Sequence, residues 1–109
     1  MTDAPAPLTL DAFQQAARRT MNASLPAEQL LLDAAAGLAE EAGEVLGAVR
    51  KHVFQARTLD REALVEELGD ALWCVAAAAA AAGVTLDEVA RRTVEKLRAR
   101  YPDGFPPRS

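Results

Sequence analysis

Two seven-residue segments carry most of the chemistry available to this chain: EEAGEVL at residues 40–46 and EELGDAL at residues 66–72. They align without a gap, with Glu-Glu, Gly and Leu recurring and Glu44 matched by Asp70. On a helical wheel Glu41 and Glu44 stand about 60° apart, along one border of an apolar face that contains Leu31, Val45 and Val49. Glu67 and Asp70 hold the same bearing beside Leu64, Leu68, Ala71 and Val75, while Glu40 and Glu66 turn further towards solvent. Packed as an antiparallel pair, two such helices bring four carboxylates to one patch. Carboxylates crowded in this way take up a proton or bind a cation. Oxygen ligands alone, with no clustered His or Cys, suit a hard ion, Mg²⁺ or Mn²⁺. A di-iron bundle site requires Glu-x-x-His on two helices, and the single histidine, His52, is too far along the chain from Glu44 to supply it.

The acids need long helices to carry them, and the sequence punctuates four. Thr9 is a plausible N-cap for a first helix whose Leu10, Phe13, Ala17 and Met21 share one face, closed by NASLP ahead of Pro26. A second runs from about Ala27 to Phe54, with QARTLD as the connection and Thr58 or Asp60 as the next cap. The third covers about 61–82 and stops at Gly83. Thr85 and Glu88 form a capping box for the fourth, which Pro102 ends. Period-2 alternation is missing throughout, so the fold class is all-α. The architecture expected is a four-helix-type bundle completed by oligomerisation. Residues 1–8 read as a flexible arm, 9–101 as a single helical domain and 102–109 as a turn-rich tail. The alanine run 76–82 gives helix propensity with little bulk, either as a thin core or as a surface buried against another subunit.

Composition narrows the class. Half of the 109 residues are hydrophobic and 26% are charged, which is globular rather than disordered. A net charge of -4 argues against nucleic-acid and anionic-membrane partners, since both demand a basic surface. The lone Cys74 excludes an intrachain disulfide and a thiolate metal site, and points to a reducing, cytoplasmic setting. The opening residues show no basic segment followed by an apolar one, and the stretch around the alanine run falls short of the roughly 20 apolar residues of a membrane span.

The ordered blocks GLAEEAGEV, VRKHVF, LVEELGDALW and EKLRARYPDGF resemble the MazG-like family of all-α nucleoside triphosphate pyrophosphohydrolases over about residues 9–106. The resemblance implies a Mg²⁺-dependent enzyme that cuts between the α- and β-phosphates of a nucleoside triphosphate, releasing the monophosphate and pyrophosphate. It implies that Glu41, Glu44, Glu67 and Asp70 hold the metal, and that the protein assembles as a dimer or tetramer. One glutamate of the cluster, Glu41 or Glu44, would take the proton of the attacking water. Lys51, Lys96 and Arg100 are the candidate phosphate-binding cations, with Tyr101 alongside them; the resemblance supports Lys51, Lys96 and Tyr101 most. Trp73 lies on the acid side of the third helix, placed either to stack on a base or to pack within the bundle. Glu40 takes a supporting role, since close relatives can carry glycine there. Two departures stand out. Thr93 occupies a position where asparagine is common in the family, and QAR follows KHVF where relatives often show a His-Gly pair. Two other functions stay open: phosphoribosyl-ATP pyrophosphohydrolysis on the same metal motif, and a non-catalytic helical interaction module whose acids are a solvated face. A DNA-binding reading of the fourth helix lacks both the charge and a preceding helix-turn-helix turn.

Overall fold

A computed structural model describes residues 4–106 of the chain. Four helices follow one another: α1 (Leu10–Arg18), α2 (Ala27–Phe54), α3 (Arg61–Ala81) and α4 (Leu86–Arg100). The helix starts are set by local chemistry. Thr9, Asp60 and Thr85 each accept a hydrogen bond, at 3.0 Å, from the amide three residues on, which satisfies a donor the helix cannot. Before α2, Pro26 presets the extended entry with no side-chain cap. The capping box at α4 is only half made, because the Glu88 carboxylate pairs with Arg92 at 2.9 Å. The first helix is shorter than its periodicity suggests. It ends at Arg18, so Met21 sits in the turn that follows.

The end of α3 follows from Gly83, whose φ of 76° is available to glycine without a Cβ clash. The Val84 amide then reaches back to the Ala79 carbonyl at 2.8 Å, and Gly83 to Ala80 at 3.1 Å. This turn sends α4 off at 104° to α3. Gln14, buried on α1, fixes the corner: its amide donates to the carbonyls of Val84 (3.0 Å) and Ala76 (3.4 Å) and accepts from the Leu86 amide (3.1 Å).

The core is small and made largely of alanine. Ala17, Ala76 and Leu86 form its centre, with Phe13, Trp73 and Val75 packed around them. Ala76, Ala77 and Ala79 are buried within the single chain, so these three of the seven alanines need no second subunit to cover them. Helices α2 and α3 form an antiparallel pair; α1 packs on α3, and α4 packs on α1 and α3 but not on α2. One chain thus supplies two long helices braced at one end by two short ones. The radius of gyration is 17.2 Å, against about 13 Å for a compact chain of this length. No single described helix is long and apolar enough to cross a membrane. Among the described residues there is no strand beyond a one-pair bridge of Pro102 with Gly104. The outermost parts of the expected arm and tail, 1–3 and 107–109, lie outside the described residues.

Candidate metal centre

The α2–α3 pair brings Glu41, Glu67 and Asp70 together, with one carboxylate oxygen of each lying within 4.8 Å of the others. Glu41 and Glu67 are half-buried and Asp70 is exposed, so the group opens to solvent on one side. The Oε2 of Glu41 is buried and has no hydrogen-bond partner. Its carboxyl is pushed up to about 7, first by a hydrogen bond shared with Glu67, then by loss of solvent, then by the charges of Glu67, Asp70 and Glu44. An acid in this state must hold a proton or meet a cation. An orphaned buried oxygen beside two further carboxylates is a donor set that fits a hard divalent ion.

The other expected residues fall into two groups. Glu44 is exposed and outside the group of three, yet close enough that its charge raises the Glu41 carboxyl. Glu40 is exposed on the outer side of α2. Lys51 is exposed further along α2, on the bearing the wheel gives to Glu44. Trp73 is half-buried one turn beyond Asp70, and its Nε1 donates to Thr20 Oγ1 at 2.7 Å. It lines a cleft of about 250 Å³ with Thr20, Asn22, Leu25, Asp33 and Ala77. By contrast, Lys96, Arg100 and Tyr101 are not brought to the acids within one chain. The Gly83 turn directs α4 away from α2, leaving Lys96 and Arg100 exposed and Tyr101 packed on Phe105 with ring centroids 5.6 Å apart. The hydroxyl of Thr93 is spent on its own helix, donating to the Val89 carbonyl at 2.9 Å.

Sequence reasoning missed Asp33 as a lining residue, although the wheel places it about 20° from Glu44 and so on the same acidic border. Gly43 and Gly69, the glycines that recur in the two acidic motifs, have no atom within 4 Å of where a Cβ would stand; the close approach is at Gly37, against Cys74.

The MazG nucleotide pyrophosphohydrolase domain pattern matches residues 29–105, spanning nearly all of α2, then α3, α4 and every acid of the cluster. The chain belongs to the MazG nucleotide pyrophosphohydrolase family. MazG domains are generally dependent on divalent metal, and the acid cluster described above lies on the two helices that form the matched hairpin. No curated protein and no solved structure shows significant similarity to the chain.

Proposed function

We propose that this MazG domain is a Mg²⁺-dependent hydrolase of (deoxy)nucleoside triphosphates, cutting between the α- and β-phosphates to leave the monophosphate and pyrophosphate, with non-standard or surplus nucleotides as its substrates. The observation that carries this reading is the orphaned Glu41 oxygen beside Glu67 and Asp70 in a chain of this family. Glu41, Glu67 and Asp70 would hold Mg²⁺ (or Mn²⁺), joined by Glu44 at the open side. Mg²⁺ bound there would neutralise charge building on the leaving pyrophosphate and acidify a bound water. Glu41 or Glu44 would accept the proton of that water. The Trp73 cleft, one turn from Asp70, would take the nucleoside end, with the indole held in place by Thr20. Lys51 would answer phosphate charge along the α2 border.

Assembly completes the proposal. The chain exposes 8781 Å², against about 5,800 Å² for a compact monomer of its mass. Leu46, Val53 and Phe54 on α2, with Val65, Leu68 and Leu72 on α3, remain exposed. A second copy covering these faces would close a four-helix bundle, as a dimer or as the unit of a tetramer. Lys96, Arg100 and Tyr101 would then meet a triphosphate only across such an assembly.

The test is a panel of ribo- and deoxynucleoside triphosphates, with phosphoribosyl-ATP included, incubated with Mg²⁺ and scored by product. Monophosphate with pyrophosphate from one or more nucleoside triphosphates is expected. No turnover of any nucleotide, together with no thermal shift in Mg²⁺ or Mn²⁺, would favour a non-catalytic helical module instead.

A further inference from the structure

The acid cluster lies one turn along α2 and α3 from a close approach of the two helices. Going from α2 to α3, Ala34 and Ala77 border the same cleft, and one turn further along Gly37 meets Cys74. A turn beyond that, Glu41 meets Glu67 and Asp70. Gly43, Gly47 and Gly69 have no atom within 4 Å of where a Cβ would stand, so none of them is a second close approach. Among the glycines the tightest surroundings are at Gly37, where an added Cβ would stand 3.0 Å from Cys74 Sγ. That is several tenths of an ångström inside ordinary carbon–sulfur contact. Cys74 is buried, with 6% of its surface exposed, which restricts where its sulfur can move.

We infer that the Gly37–Cys74 contact is the spacer that sets the separation of α2 and α3 at the acid cluster, making Gly37 a positioning residue for the metal ligands. Glu41 lies one helical turn from Gly37, and Asp70 one turn from Cys74. A separation fixed at the spacer is therefore passed on to the carboxylates by two rigid turns of helix. Metal–oxygen distances tolerate only about 0.2 Å, so a displacement of a few tenths of an ångström matters to the ligands while leaving the helices intact. The lack of a Cβ at Gly37 and the modest size of the Cys74 side chain act together: either one enlarged forces the pair apart. In its effect on metal the inference rests on the proposed function; in its effect on helix spacing it does not.

The experiment compares the wild-type chain with Gly37→Ala and with Gly37→Ala/Cys74→Ala, by Mn²⁺ titration and by metal-free thermal unfolding. Gly37→Ala should weaken Mn²⁺ binding by about tenfold or more, the scale seen when a group supporting a metal ligand is disturbed. The double variant, with the sulfur removed, should regain most of that loss. Without metal, Gly37→Ala should melt below wild type even though alanine is the better helix former, and the double variant should melt above the single one. Wild-type Mn²⁺ affinity in Gly37→Ala, or no recovery in the double variant, would overturn the inference. If the wild-type chain binds no Mn²⁺, the metal reading fails on its own and the spacing claim is decided by unfolding. A Gly37→Ala protein melting at or above wild type would then overturn it, and a lower melt restored in the double variant would uphold it.

Discussion

Glu41 is where the chemistry of the site conflicts with the stability of the fold. Its carboxyl stands at about 7 rather than 4.5, because it shares a hydrogen bond with Glu67, has lost solvent and faces three further negative charges. The folded chain therefore binds this proton more tightly than the unfolded chain does. That contribution is fully present below about 4.5 and is lost as pH rises through about 7. The melting temperature of the metal-free protein should fall across that interval, and Mg²⁺ should raise it most at the upper end, where no proton competes. Glu41→Gln should flatten both responses: the metal-free variant stays stable above pH 7 and gains nothing from Mg²⁺. A metal-free melting curve indifferent to pH would contradict this account of Glu41. The wheel showed that Glu41 and Glu44 border the apolar face of one helix and Glu67 and Asp70 that of the other, because bearing depends only on residue spacing. It could not show that Glu44 would stand outside the closest group, or that Gly37 would touch Cys74. Those facts depend on how far one helix slides along the other. Asp33 was within reach of the same wheel and was passed over because the motif begins seven residues later.

At the scale of elements, helix limits were legible wherever a side chain or a ring fixes them. Thr9, Pro26, Asp60, Gly83 and Thr85 each act on their own few residues, and α2 runs from Ala27 to Phe54 as its punctuation indicates. The direction of α4 was not legible. It is set by the Gly83 turn together with three hydrogen bonds to Gln14, more than sixty residues away in sequence. Lys96 and Arg100, expected as phosphate-binding cations, therefore lie on a helix that does not pack on α2 within one chain. The α2–α3 connection holds one strained residue, Ala56, at φ 51°. It lies in the segment where relatives often carry a His-Gly pair, while the neighbouring Arg57 carbonyl accepts from His52 Nδ1 at 2.6 Å. The left-handed conformation costs alanine about 1–2 kcal/mol, partly offset by the freedom glycine has when unfolded. Ala56→Gly should therefore stabilise the chain by about 0.5–1 kcal/mol in denaturant unfolding. Destabilisation by that substitution would show that the loop is not strained at this position.

For the molecule as a whole, the all-helical class was plain from periodicity, but the shape of one chain was not. A radius of gyration of 17.2 Å and an alanine core leave long apolar stretches of α2 and α3 in solvent, which a single copy has no further helix to cover. Sedimentation should give a dimer or tetramer for the wild-type chain. Leu68→Glu, which places a charge on an exposed apolar position of α3, should reduce that mass while helicity is retained. A wild-type species of 11.6 kDa would contradict assembly. The central claim, that the acid cluster is the metal site of a triphosphate-cleaving enzyme, is tested most directly by pyrophosphate release. The rate would be measured in Mg²⁺ from the best nucleoside triphosphate, for wild type and for Asp70→Asn of equal helicity. Wild type should release pyrophosphate with monophosphate, and Asp70→Asn should be slower by about 100-fold or more, since disturbing even a supporting partner of a metal ligand costs about 10- to 100-fold. Equal rates in the two proteins, or orthophosphate and diphosphate as the wild-type products, would contradict it.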